Sequence, residues 1–184
     1  MKAKLPALEK NILKYRALQM VLLLNEVESL RRYVIGSIRA TDDFNGIEQP
    51  RIPLNVKDPM GRALTVLVSE RIITEEEMQD IQSIILIRND IGHRIHDVVG
   101  DITFPELYKG AKGAYDYFAV ERFEDYCFKI SEGMRANFIQ KLGLEELAFE
   151  QAEATYKEEL SRLRRRMDRQ WKARYGQAAL DTDD

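Results

Sequence analysis

The sequence predicts an all-α protein, a helical bundle of about five helices with a long N-terminal helix and a long, charged C-terminal helix. Apolar residues recur at helical spacing along most of the chain, and no strand-like alternation is present. Glycine and proline are scarce, at ten and five residues. With 184 residues, of which 45% are hydrophobic and 32% charged, the chain can bury a core without disulfide or metal support.

The first predicted helix covers 6–39 and is either one long helix or two with a slight break. Its apolar positions repeat as Leu8, Ile12, Leu18, Leu22, Val27, Leu30, Val34 and Ile38. Residues 41–59 contain three prolines and an Asn-Gly pair, so a long loop is predicted there. A short helix follows, and its inward-facing residues are Met60, Leu64, Leu67 and Val68.

The central helix has the clearest signal in the sequence. Thr74 and Glu77 predict a capping box, in which each side chain accepts a hydrogen bond from the other residue's backbone N–H. A wide apolar face follows, formed by Met78, Ile81, Ile84, Ile85, Ile87 and Ile91. This helix is predicted to run toward His96 and to end near Gly100.

Two more helices are predicted in the second half of the chain. An aromatic-rich helix covers about 112–141, with most of its rings in the core, and a very polar helix covers about 144–175. The predicted organisation is therefore a helical bundle over 1–143, followed by a charged C-terminal helix and a short disordered tail over 144–184.

The cysteine and histidine counts exclude several kinds of site. Cys127 is the only cysteine, and His93 and His96 are the only histidines, so an internal disulfide and a closed Cys/His metal site are excluded. We expect no metal and no cofactor, and a reducing compartment. The charged N-terminal start does not resemble a signal peptide, and the longest apolar run, Met20–Leu24, is too short to span a membrane. We therefore expect a cytoplasmic protein with no membrane partner.

The candidate chemistry lies on the central helix. Arg88 offers a planar, always charged fork to phosphate oxygens, and His93 can act as an acid or a base near neutral pH. Asn89 precedes His93 by four residues, on the same helix face, where it can hydrogen-bond the ring. Asp97 follows His93 by four residues and can fix the ring's tautomer or raise its pKa. Gly92 removes a side chain beside this group and lets another backbone approach.

The sequence Arg88-Asn89-x-x-x-His93 resembles the R-x(4–6)-H motif of HEPN domains, including the polar residue that commonly follows the arginine. The resemblance covers about 74–97, and beyond that it rests on helix order and size. It implies a homodimeric, metal-independent endoribonuclease of a toxin–antitoxin or phage-defence system, with RNA as substrate and an antitoxin or defence protein as partner. It also implies catalytic roles for Arg88, Asn89 and His93, supported by Gly92 and Asp97.

Metal-independent RNA cleavage needs a general base for the 2′-OH, a general acid for the leaving 5′-oxygen and a cation at the phosphorus. The resemblance implies that two copies of the Arg88–His93 pair face each other across the dimer in one composite cleft. The implied products carry a 2′,3′-cyclic phosphate and a 5′-hydroxyl. One branch of the family has a tyrosine, modified with AMP by an antitoxin nucleotidyltransferase, at the position of Ile95, so that neutralisation is not implied here.

Three other interpretations of the same residues stay open. Arg88 can be a surface ion-pair partner and His93 a histidine favoured by the dipole at a helix end. A metal site would use His93, His96, Asp97 and Asp101. The alternative function is a non-catalytic helical regulator or binding module that resembles the mannitol operon repressor group in its helix order.

The C-terminal helix allows two interpretations. Its basic run, interleaved with Trp171 and Tyr175, suits RNA phosphates and consists of Arg164, Arg165, Arg166 and Arg169. The helix can instead be solvated through pairs such as Glu158–Arg162, with its apolar stripe packed on the bundle or on a second subunit.

Overall fold

The structure is a computed structural model that describes residues 5–93, 115–141 and 145–175. Its helices, in chain order, are α1 (Ala7–Phe44), α2 (Pro59–Ser69), α3 (Glu75–His93), α4 (Ala119–Met134) and α5 (Glu145–Tyr175). The predicted all-α bundle is therefore confirmed, and the described ranges contain no strand. In those ranges, every helix is too short or too polar to cross a membrane.

The two long helices, α1 and α5, pack side by side in opposite directions. Near one end Asn11 donates to Gln170 at 3.0 Å, and further along the Lys157 amino group lies 3.6 Å from Glu26. The apolar stripe of α5 is buried and belongs to the same core as α1; its members are Leu160, Leu163, Met167 and Trp171. The C-terminal helix thus completes the bundle, because its stripe covers the apolar face of α1.

The N-terminal helix is one continuous helix, and it is longer than predicted. It continues through Thr41 and Asp42 to Phe44, so the predicted loop at 41–59 begins at Asn45 instead. Gly46 has a φ of 62°, a left-handed conformation that suits glycine and ends the helix. The buried Asp42 carboxylate then accepts two hydrogen bonds from Arg51, each of 2.7 Å, which holds the loop against α1.

The central helix begins as its sequence predicts. The Thr74 backbone N–H donates to the Glu77 carboxylate at 2.8 Å, and the Glu77 N–H donates to the Thr74 hydroxyl at 3.2 Å. This confirms the capping box. Ile81 and Ile84 are fully buried, so these two residues of the predicted apolar face enter the core. The side chains of Ile87 and Ile91 and the predicted end of the helix near Gly100 lie outside the described part of the chain.

The aromatic helix is shorter than the predicted 112–141, since α4 begins at Ala119 and ends at Met134. Long-range contacts decide its start: Tyr15 donates to the carbonyl of Tyr117 at 2.9 Å, and Gln19 donates to that of Asp116 at 2.9 Å. These bonds hold the residues before α4 in a turn on α1.

Contacts to α1 also hold the segment after α4. The N–H of Ile139 donates to the Thr41 hydroxyl at 2.8 Å, and the N–H of Lys141 donates to the Ser37 hydroxyl at 3.0 Å. Their partners are about a hundred residues away in the sequence, beyond the reach of a local pattern.

Candidate active site

The predicted catalytic residues lie on one continuous helix. Arg88, Asn89, Gly92 and His93 all fall within the last two turns of α3. For Asn89, Gly92 and His93 the structure gives the position on the helix backbone. For Arg88 it also gives the side-chain contacts. Asp97 lies outside the described residues.

The Arg88 side chain connects α3 to α1. Its guanidinium Nη2 lies 4.0 Å from Glu28 Oε2, and the side chain is 26% exposed. Glu28 also faces two arginines of its own helix, with Arg32 Nε at 3.4 Å and Arg31 Nη1 at 3.8 Å. Three guanidinium groups from two helices therefore surround one carboxylate beside the candidate motif.

This group of three arginines and Glu28, here called the Glu28 cluster, is accessible to solvent. The side chains of Arg31 and Arg32 are 47% and 58% exposed, and ion pairs at such exposure contribute little energy. A phosphate can therefore compete with Glu28 for these groups, through charge-assisted hydrogen bonds. The chemistry that the Glu28 cluster supports is the holding of an anion next to the helix that carries His93.

Comparisons with protein-family models, curated proteins and solved structures found no match to this chain.

The four arginines predicted to bind RNA on α5 differ in their surroundings. Arg164 turns toward the bundle: its Nη1 lies 2.5 Å from Glu121, and its guanidinium lies over the Phe118 ring, 4.5 Å from the centroid. The other three line a shallow surface depression of about 650 Å³, together with Arg162 and Asp168; they are Arg165, Arg166 and Arg169. An RNA contact by α5 would therefore use these three and not Arg164.

The structure also bears on two other kinds of chemistry, metal binding and nucleophilic attack by a thiol. In the part of the chain that the structure describes, no three His, Cys, Asp or Glu side chains are grouped to hold a metal ion. Three of the donors considered for a metal site, His96, Asp97 and Asp101, lie outside that part. Burial raises the pKa of the Cys127 thiol, which makes it a poor nucleophile.

Sequence reasoning found the motif but missed the Glu28 cluster. The pairs Glu28–Arg31 and Glu28–Arg32 have the i,i+3 and i,i+4 spacing of contacts on one helix, so a local signal for them exists. No local signal joins Arg88 to Glu28, because that contact depends on how α3 crosses α1.

Proposed function

We propose that this protein is a metal-independent endoribonuclease of a toxin–antitoxin or phage-defence system, acting through Arg88 and His93 at a composite site across a homodimer. The observation that supports the proposal most is the Glu28 cluster, in which the motif arginine joins Arg31 and Arg32 beside the helix that carries His93. RNA is the substrate because a phosphodiester backbone is the anion that such a patch suits, and its 2′-OH supplies the nucleophile.

The reaction is an internal transfer at phosphorus. One His93 takes the proton from the 2′-OH, and the 2′-oxygen attacks the adjacent phosphorus. The bond from phosphorus to the 5′-oxygen breaks, and the partner's His93 gives that oxygen a proton. Arg88 holds the non-bridging oxygens, whose negative charge grows in the transition state. The products are a 2′,3′-cyclic phosphate and a 5′-hydroxyl, and no metal takes part.

The two histidines allow a matched test of this proposal. We expect the wild-type protein to cleave a labelled RNA in the presence of excess EDTA. His93→Ala should lose roughly 10²–10⁴-fold in rate, as is typical when a general acid or base is removed. His96→Ala, three residues further along, is the control and should retain cleavage. An RNA with a single 2′-deoxy substitution at the cut position should not be cleaved there.

Two results would overturn the proposal. Equal loss of activity in the His93→Ala and His96→Ala variants would remove the special role of His93. Activity lost to EDTA and restored by a divalent ion would indicate a metal-dependent reaction.

The ion contact between Arg88 and Glu28 also fits a second candidate function, a non-catalytic regulator in which Arg88 is structural. In that case the wild type would cleave no RNA under any condition, and Arg88→Met would lower the melting temperature. An endoribonuclease instead predicts that the wild type cleaves RNA and that Arg88→Met abolishes this cleavage, because no guanidinium then holds the phosphate oxygens.

A further inference from the structure

A second charged site lies on another side of α1, in a groove of about 590 Å³ between α1, α4 and α5. Three carboxylates line it, Glu26, Glu124 and Glu153, together with the Lys157 ammonium group. Arg135 also lines the groove, and its guanidinium pairs with Glu132 at 2.9 Å. The cluster around Lys157 therefore carries two excess negative charges when all three carboxylates are ionised.

Lys157 does not satisfy all three carboxylates. Its ammonium group lies 2.9 Å from Glu124 and also bonds to Glu153, whereas its distance to Glu26 is 3.6 Å. Hydrogen bonds between nitrogen and oxygen extend to about 3.2 Å, so Glu26 is beyond that reach. Glu26 lines the groove and is 8% exposed, and within the described residues neither of its oxygens accepts a hydrogen bond from an N–H group.

A buried carboxylate without a donor is costly unless it is neutralised. Burial, followed by the nearby Glu124 carboxylate, raises the pKa of Glu26, so the protein holds a proton there near neutral pH. A cation entering the groove would supply both the charge and the N–H donors that Glu26 lacks. Phe128, 70% exposed on the wall of the same groove, offers an apolar surface next to this carboxylate cluster.

We propose that this groove binds an organic cation, an ammonium or guanidinium group on an aliphatic stem, which donates to Glu26 while its stem lies along Phe128. Binding expels the proton of Glu26 to solvent, and the cation takes its place. Glu124, Glu153, Lys157 and Cys127 are the titratable groups that α4 and α5 bring to face Glu26. The site is independent of the proposed ribonuclease activity: Glu26 and Glu28 are separated by about 200° around α1.

The test is calorimetric titration of the full-length protein with two probes. Agmatine carries a guanidinium on a free aliphatic stem, and N-acetylarginine methylamide carries the same head group on a peptide unit. Tighter binding of agmatine would identify a small amine as the ligand class, and tighter binding of the capped arginine would identify a side chain of a protein partner. We expect the affinity for either probe to rise by about tenfold per pH unit up to pH 7 and to level off as the pH passes the pKa of Glu26, about 8, because one proton is released. Titration in two buffers with different ionisation enthalpies should show that release directly.

Two variants make the prediction specific to Glu26. Glu26→Gln should bind the probe roughly tenfold to a hundredfold more weakly and release no proton, because the charged acceptor is gone. Lys157→Gln should bind more tightly, because the internal cation no longer competes. Glu75→Gln, an exposed carboxylate at the start of α3, is the control for a change in net charge.

Each variant is accepted only with an unchanged circular-dichroism spectrum at the titration temperature. If neither probe binds at millimolar concentration, or if Glu26→Gln binds as tightly as the wild type, the proposal is overturned. If Lys157→Gln alone were misfolded, the affinity of Glu26→Gln and the proton release of the wild type would still test whether the cation binds through Glu26.

Discussion

Two ionisable side chains of α1, Arg16 and Glu26, are buried, and the water that each loses is compensated in a different way. Arg16 is 2% exposed, and its guanidinium donates to the Tyr117 hydroxyl at 3.1 Å and lies over the Tyr115 ring, 4.4 Å from the centroid. These hydrogen bonds and the cation–π contact replace the water that the guanidinium loses. In the described residues Glu26 accepts no N–H hydrogen bond and has the Lys157 ammonium group at 3.6 Å, and burial raises its pKa, which favours the protonated form.

The proton on Glu26 should make stability depend on pH. The pKa of Glu26 is about 8 in the folded protein, against an ordinary value of 4.5. The folded state therefore keeps a proton that the unfolded chain loses, so the contribution of Glu26 is fully present below pH 4.5 and is lost as the pH rises through 8.

Glu26→Gln removes this titration. At about 1.4 kcal/mol per pKa unit, the free energy of unfolding of the wild type should fall by about 2–5 kcal/mol relative to Glu26→Gln between pH 4.5 and 8. Urea unfolding at pH 5, 6, 7 and 8 measures the difference, with Glu75→Gln as the charge control. Parallel curves for wild type and Glu26→Gln would show that the carboxyl titrates normally.

At the scale of the helix, α5 presents two different faces. Its apolar stripe packs on α1, while Arg165, Arg166 and Arg169 line the opposite, outward surface. The i,i+4 pair between Glu158 and Arg162, predicted from spacing, is present at 2.5 Å. The packing interpretation of α5 is thus confirmed for the apolar stripe, and the RNA interpretation stays a prediction for the outward arginines.

Neutralising those outward arginines tests the RNA prediction. In a His93→Ala background, which prevents cleavage, the change of Arg165, Arg166 and Arg169 to Gln should weaken binding equally for all RNA sequences. Three lost phosphate contacts should flatten the log–log salt dependence by about two, at roughly 0.7 per contact for single strands. Filter binding over a salt series measures both quantities.

Arg164→Gln is the control from the same helix, because its guanidinium already contacts Glu121 and Phe118. It should leave RNA affinity and salt slope unchanged. If the triple variant also leaves them unchanged, the phosphate path instead crosses Arg31 and Arg32 of the Glu28 cluster.

At the scale of the whole molecule, an exposed apolar stripe leads to the Glu28 cluster. Val21, Leu24 and Glu28 have the i,i+3,i+7 spacing of one face of α1, and Val21 and Leu24 are 40% and 43% exposed. On α3, Leu86 is 62% exposed and precedes His93 by seven residues, which is the spacing of two positions on one helix face. A second copy that covered these side chains would bring the two Arg88–His93 segments together.

We therefore expect a homodimer at micromolar concentration, which Leu24→Glu combined with Leu86→Glu should dissociate because a charge would be buried without a partner. Sedimentation velocity measures the change, and RNA cleavage should fall with it. Leu54→Glu, on an 83% exposed loop residue, is the matched control and should leave the dimer intact. A monomeric wild type would contradict the composite site.

The sequence by itself determined the helices, the capping box of α3 and most of the apolar faces. These features depend on contacts between residues three or four positions apart, so the spacing of residue types along the chain predicts them. The limits of α5, predicted as 144–175 and found as Glu145–Tyr175, belong to the same class. The Arg88–His93 motif was also visible, since its members share one helix.

Only the tertiary structure decided where α4 begins, which arginines of α5 face outward and which charges surround Glu28 and Glu26. Tyr117 is held by Tyr15, about a hundred residues earlier, and Glu26 meets Glu124 and Lys157 from two other helices. The physical reason is that the energy of a charge depends on its burial and on the groups that face it. Both are set when helices distant in the sequence pack together.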